Sequence, residues 1–245
     1  MEQSLCHTRS DSVRSVLDNK ARAELARRCF RIIIPAHRRI FNEGDLVKSY
    51  YQINSGIVKL VTTRADGRVR IVGLLYPSFF VGQSLKRRHS YAAESATEVD
   101  LWVYPKGPFE RFLKTHPELE RQILYAKMHE LDLSREGMLL LGRRCSYERV
   151  AGLLFMMAGQ ARRNDVLPKN DVYFELPLTR TEMADYLGLT LETVCRQLTT
   201  LKKKHVITLP SSRDIVVPDL ELLRREAQFA RYAGDLGESP IQAVA

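Results

Sequence analysis

The chain has no Cys-x-x-Cys pair, and no two histidines lie four residues or two residues apart. Its cysteines, Cys6, Cys29, Cys145 and Cys195, are scattered, as are His7, His37, His89, His116, His129 and His205. Neither a local zinc site nor a disulfide framework is expected from such spacing. There is no apolar run of roughly 18 residues, the length a membrane span needs. The N-terminus also lacks a signal-peptide core, so the expectation is a soluble, cytoplasmic protein with no membrane partner. Acidic residues are in deficit, 29 against 38 Lys and Arg, for a net charge of +9. That balance favours an anionic partner, and nucleic acid and membrane surface both satisfy it. What the chain does have is length and apolar content: 245 residues, 44% hydrophobic, suit one large or two ordinary domains with real cores.

The most informative stretch runs from Leu178 to Ile207. Thr179 and Glu182 have capping-box spacing, so a helix is predicted from Arg180, with Met183, Ala184 and Leu187 on its apolar side. Gly188 breaks it where a turn needs positive φ. Thr190 caps a second helix, Leu191 to about Lys203. Val194, Leu198 and Leu201 form its buried stripe, while Glu192, Arg196 and Thr199 point the other way and Cys195 lies on the flank of that outward face. Two helices, a glycine turn and an exposed Glu/Arg pair fit a helix-turn-helix. Arg196 could donate twice to guanine and Glu192 could accept from cytosine. An αα-hairpin in a helical core has the same outline, with its charges merely solvated. The residues beyond the second helix favour DNA. Lys202, Lys203 and Lys204 end the helix, where cations suit phosphates. Val206–Leu209 and Ile215–Val217 then read as two strands of a wing around Pro-Ser-Ser-Arg-Asp.

Upstream, residues 1–30 read as a loose polar arm and a short helix, Lys20 to Phe30. From Arg31 to Pro105 short β-rich runs alternate with turn residues. They are Arg31–Ile34, Tyr50–Ile53, Ile57–Thr63, Val69–Tyr76, Tyr91–Ala96 and Glu98–Tyr104. Ala65-Asp66-Gly67 is a hairpin turn, and Gly44, Gly56 and Gly82 mark other corners. This is the pattern of a small barrel or roll. Pro108 to Lys114 fits a short helix. Pro117 opens a long one to about Leu141. Along it Leu124, Met128, Leu131, Arg135 and Met138 keep heptad spacing, which suits a partner copy. Ile123, Leu133, Leu140 and Leu141 form a second strip for the core. Gly142 to Cys145 is a plausible hinge. Ser146 can cap a helix burying Val150, Leu153, Leu154, Met157 and Ala158. Arg162 to Asp171 reads as a loop. The tail from Arg224 is polar and frays after about Arg231.

On these residues the chain resembles the CRP/FNR family of bacterial transcription regulators, from about Arg31 to Leu223. The likeness rests on Gly44-Asp45, Tyr51-Gln52-Ile53-Asn54-Ser55-Gly56 and Phe79-Phe80-Val81-Gly82. It continues through Met138-Leu139-Leu140-Leu141, Glu148-Arg149-Val150-Ala151 and the run from Leu187 to Arg196. Within the family it is similar to FixK-type proteins, which control oxygen-limited metabolism and nitrogen fixation. The resemblance implies an α+β chain. Its parts are an arm and short helix (1–30), a β-roll of cyclic-nucleotide-binding type (31–116), a dimerisation helix (117–142), a winged helix-turn-helix (143–231) and a flexible tail (232–245). It implies a homodimer on a palindrome with TTGA-type half-sites, RNA polymerase as a partner, and base reading by Glu192, Cys195 and Arg196. Thr179, Thr190, Thr193, Thr199, Lys202, Lys203 and Arg213 would meet the DNA backbone. The Cys195 position is usually Ser in FNR-like and Gly in CRP-like members.

The departures are equally informative. Members that bind cyclic AMP use a Gly-Glu segment and a later Arg-Ser pair; here these are Gly82-Gln83 and Arg87-Arg88, with too short a stretch between. Gln83 offers a ribose hydroxyl no charged acceptor. Iron–sulfur members need clustered N-terminal cysteines, which Cys6 and Cys29 are not. No cofactor is therefore expected. Regulation could rest on abundance alone, on an unknown effector in the roll, or on oxidation of Cys195, which adjoins Arg196 and the helix start in a cationic setting that favours it. Polymerase contacts would fall by position on the Arg64–Arg68 turn and the Arg162–Asp171 loop. A thiol enzyme would need a His and a carboxylate beside Cys195 or Cys29, and no such signature surrounds either, so no enzymatic activity is expected.

Overall fold

The computed structural model describes residues 14–63, 67, 69–82, 87–143, 145–164 and 171–228. Cys6, Gln83, most of the Arg64–Arg68 turn, most of the loop ending at Asp171 and the tail after Gln228 lie outside them. Contacts divide the chain into two compact units, Met1–Leu131 and Asp132–Ala245.

The first unit is a β-roll of two four-stranded sheets. Its strands are β1 (Phe30–Ile34), β2 (Arg39–Phe41), β3 (Ser49–Ser55), β4 (Val58–Thr63), β5 (Val69–Leu75), β6 (Phe80–Val81), β7 (Ala92–Ser95) and β8 (Val99–Pro105). One sheet runs β1-β8-β3-β6 and the other β2-β7-β4-β5, every pair antiparallel. Ile53, Val58, Val61, Ala93, Val99 and Leu101 are buried, as one apolar face per sheet requires. Gly56 turns β3 into β4 at φ +83, and a Cβ there would lie 2.1 Å from the Glu98 carbonyl, so only glycine fits. Helices α1 (Asn19–Ala26), α2 (Lys106–Leu113) and the start of α3 (Pro117–Leu141) close one end. Leu25, Phe109, Phe112, Leu119 and Ile123 join Tyr50, Phe80 and Tyr104 in one cluster there.

The six predicted strands of the roll are present, and β2 and β6 join them. The first helix stops at Ala26 instead of Phe30, because Phe30 already pairs with Val103 in β1. Helix α3 has the predicted bounds. Ile123, Leu133 and Leu140 of the inner strip are buried, but Leu141 is exposed; it sits in the last turn, where the helix runs out. Leu124, Met128, Leu131 and Met138 are exposed, and Arg135 pairs with Asp132 at 3.0 Å.

In the second unit α4 (Ser146–Asn164) is the central helix, burying Val150, Leu153, Leu154, Met157 and Ala158 as predicted. Ser146 is its first residue and not its cap: the Arg149 amide donates to the Cys145 carbonyl (3.2 Å), one position earlier. Strand β9 (Val172–Glu175), helices α5 (Arg180–Leu187) and α6 (Leu191–Lys203), strand β10 (Asp214–Val217) and helix α7 (Leu220–Glu226) follow. The wing differs from its prediction. The partner of β10 is β9, with Ile215 opposite Phe174, and residues 206–209 contribute one bridge, Thr208 to Val216. Val206 and Ile207 are buried in the core, and Pro210 has no N–H to extend a ladder, so pairing ends after Thr208. Helix α7, unforeseen, is capped by Asp219, whose carboxylate accepts from the Glu221 and Leu222 amides.

Candidate nucleic-acid interface

The reading segment folds from its own local signals. Thr179 and Glu182 form the capping box in both directions: Thr179 Oγ1 accepts from the Glu182 amide (3.2 Å) and Glu182 Oε2 accepts from the Thr179 amide (2.8 Å). Gly188 stops α5 in the left-handed region at φ 64, ψ 41. Thr190 then caps α6 by accepting from the Thr193 amide (3.2 Å), and the two hydroxyls lie 2.8 Å apart. Met183, Ala184 and Leu187 from α5 and Val194, Leu198 and Leu201 from α6 are all buried. Burying those positions fixes which side of α6 must face water.

That outer side carries Glu192, Cys195, Arg196 and Thr199, all exposed. Arg196 Nη1 stands 3.9 Å from Glu192 Oε1 one turn earlier, with side chains 61% and 88% exposed. A pair so exposed is worth little to stability, and its hydrogen-bonding capacity remains available. Thr199 Oγ1 donates back to the Cys195 carbonyl at 2.9 Å. Lys202 and Lys203 are exposed in the last turn. Arg213, 3.6 Å from Glu175, stands in the turn before β10. Glu192, Cys195, Arg196, Thr199, Lys202, Lys203 and Arg213 thus lie exposed on one unit.

Lys204 does not join them. Its side chain, though about half exposed, is engaged 2.9 Å from Glu226 Oε2 and 4.5 Å above the Tyr147 ring. Tyr147 donates to the same carboxylate, and burial together with that bond pushes its phenol up to about 12. Sequence reasoning missed this anchor because it joins α4, α6 and α7 across long stretches of chain. Two further supports were also missed. Arg149 donates to the Arg143 carbonyl (2.7 Å) and to the Leu187 carbonyl (3.2 Å), tying the chain just after α3 to the end of α5. Gln197 donates to Ser146 Oγ at 3.1 Å, tying α6 to the start of α4. Arg143 in turn donates to the carbonyls of Ala227 and Gln228.

Arg180, at the start of α5, donates to the Ser212 carbonyl at 2.9 Å and so holds the wing turn. Its Nη1 is buried with no hydrogen-bond partner. Burial holds its pKa below the ordinary arginine value, against an opposing influence from nearby Cys195. Nothing in the sequence marked Arg180, since its neighbours are set by tertiary packing. Among the described residues no helix is long and apolar enough to cross a membrane.

Comparison with known proteins agrees with this geometry. Residues 148–226 match the Crp-like helix-turn-helix domain, and residues 31–116 match the cyclic nucleotide-binding domain. The chain is 39% identical over 220 residues to a probable transcriptional activator of Rhizobium leguminosarum bv. viciae, covering 90% of each. It is 35% identical over 204 residues to the nitrogen fixation regulation protein FixK of Bradyrhizobium diazoefficiens, covering 83% of this chain and 85% of that one. Among solved structures, FixK2 from Bradyrhizobium japonicum superposes with a TM-score of 0.70 at 27% identity, covering 82% of this chain and 98% of that one.

Proposed function

The chain belongs to the CRP/FNR family of DNA-binding transcription regulators, among its FixK-like members, and from that premise we propose how it finds and reads its sites. Two copies join along α3 through Leu124, Met128, Leu131 and Met138, exposed apolar side chains at heptad spacing, with Arg135 between them. The dimer reads a palindrome with TTGA-type half-sites about 34 Å apart, one helical turn. Arg196 donates in pairs to guanine, Glu192 accepts from cytosine N4, and Cys195 fits beside them against the bases. Thr179, Thr190, Thr193, Thr199, Lys202, Lys203 and Arg213 hold the phosphates. The single observation carrying this reading is the outer side of α6, which presents a carboxylate, a thiol and a guanidinium from a helix whose other side is locked in the core. The regulated genes are those of oxygen-limited metabolism, nitrogen fixation among them, and RNA polymerase is contacted from the 64–68 and 162–171 segments.

The protein binds DNA without cyclic nucleotide or iron–sulfur cluster. The acceptor position is an amide, Gln83, and Arg88 is engaged with the Gly44 carbonyl at 2.7 Å. Oxidants silence it through Cys195, which is exposed in the reading surface and has Arg180 within electrostatic reach. A peroxide transfers one oxygen to the thiol, giving sulfenic acid and water. A second equivalent gives the sulfinate, whose negative charge opposes phosphate.

A gel shift on a TTGA palindrome, with and without peroxide, tests the whole reading. Binding by untreated protein, lost on oxidation in wild type but not in Cys195→Ser, is expected. Equal loss in both proteins would remove the redox step. Failure of untreated dimer to prefer the palindrome over scrambled DNA would remove the recognition. Sedimentation of Leu131→Asp should show monomer where wild type is dimer.

A further inference from the structure

At the helical end of the first unit, a buried cation has no anion beside it. Arg14 is 8% exposed. Its backbone is held in a turn, where the Leu17 amide donates to the Arg14 carbonyl at 3.1 Å, and Leu17 belongs to the buried cluster at that end. The guanidinium carbon lies 4.0 Å from the centre of the Trp102 ring and 5.7 Å from that of Tyr104. Rings attract a cation without neutralising it. The one side-chain hydrogen bond of Arg14 among the described residues runs from Nη2 to Cys29 Sγ, at 3.0 Å. Nε is buried with no partner. No carboxylate among the described residues completes the site, although buried charges are ordinarily paired.

Arg31 shows what fills such a fork. Its Nε and Nη2 point the same way and take the two oxygens of Asp100 at 2.7 Å each. On Arg14 the same edge is half used: a neutral sulfur holds Nη2 and nothing holds Nε. Cys29 itself stands half-buried between α1 and β1. Its thiol has one further, weak contact, donating to the Ala26 carbonyl at 3.8 Å. Burial outweighs Arg14 and holds the thiol above its ordinary pKa, so it is protonated and reacts slowly at neutral pH. What the geometry favours is the oxidised product.

We propose that Cys29 is a modification site, oxidised by a peroxide to the sulfinate, whose two oxygens fill the Arg14 fork. One peroxide gives an oxygen to the thiol sulfur as its O–O bond breaks, leaving sulfenic acid and water. A second does the same and leaves sulfinic acid and water, and the acid releases its proton to solvent. The sulfur is oxidised in each step and the peroxide reduced. A sulfinate has the charge and the two-oxygen fork of a carboxylate. Arg14 thereby gains the charge-assisted pair that Arg31 already has, and the 14–17 turn is pinned more firmly to the chain entering β1.

The test uses the full chain without DNA, so its outcome is independent of base reading. After peroxide treatment, peptide mass spectrometry should find two added oxygens on Cys29, later than oxidation of the exposed Cys145 and Cys195. In protein carrying Cys6→Ser, Cys145→Ser and Cys195→Ser, that oxidation should raise Tm by roughly 2–4 °C. The change in a matching Cys29→Ser control, which carries any methionine oxidation, is subtracted. Cys29→Asp mimics the product without oxidant and should melt above Cys29→Asn, and adding Arg14→Gln should reverse that order. Should Arg14→Gln fail to fold, the Asp–Asn order with Arg14 in place decides alone. Cys29 left unmodified once Cys145 and Cys195 are fully oxidised would overturn the proposal. So would a Tm that fails to rise on oxidation, Cys29→Asp melting no higher than Cys29→Asn, or an Asp advantage that survives Arg14→Gln.

Discussion

The sheets of the β-roll and the outer side of α6 use their charges in opposite ways. In the β-roll, Lys59 and Glu94 meet at 2.7 Å with side chains 6% and 19% exposed. On α6, Arg196 and Glu192 stand 3.9 Å apart, largely in water. A buried ion pair has spent its bonding capacity on the fold, and losing one partner strands the other in a low dielectric. An exposed pair contributes almost nothing to folding and can be handed to an outside partner. Burial therefore separates the charges that hold the fold together from those left available to an outside partner.

Substitutions can break or sharpen that contrast. The largest effect should come from Glu94→Ala, which strips Lys59 of its carboxylate. Unfolding free energy in urea should fall by about 3–5 kcal/mol. A loss under about 1 kcal/mol would mean the roll pair behaves like a surface pair. Arg196→Ala is the mirror case. Stability should stay within about 0.5 kcal/mol, while binding to the best palindrome weakens by about 1–3 kcal/mol and sequence preference flattens. Equal weakening on random DNA would reassign Arg196 to the backbone. Thr190→Ala touches both sides of the contrast. It removes the α6 cap and should cost about 1 kcal/mol of stability in calorimetry. The smallest effect is Lys202→Gln, which should lower the slope of log K against log salt by about one, alike on every sequence.

Much of this is legible in the sequence, though unevenly. The reading segment is clearest because its determinants are local: capping box, Gly188, Thr190 cap and a buried stripe all fall within one short run of chain. The wing is misjudged where pairing is remote. β9 alternates Val172 and Phe174 inward with Tyr173 and Glu175 outward, a strand signal, but nothing in those residues says that Ile215 lies opposite Phe174. β2 and β6 are too short for periodicity to mark. Helix α7 does announce itself through Asp219 ahead of Leu222 and Leu223, a cap before an apolar pair. Lys204 looks like a third phosphate cation because sequence gives charge and not direction. Only the fold brings Glu226 and Tyr147 to it. The role of Arg180 is invisible for the same reason.

Arg143, at the foot of the long helix, is stapled to the carbonyls of Ala227 and Gln228, and Glu226 beside them receives Tyr147 and Lys204. Shortening the gene to end before Glu226 would thus loosen both the chain just after α3 and the far end of α6 in one cut. Anyone trimming or tagging this protein should leave everything through Gln228 intact.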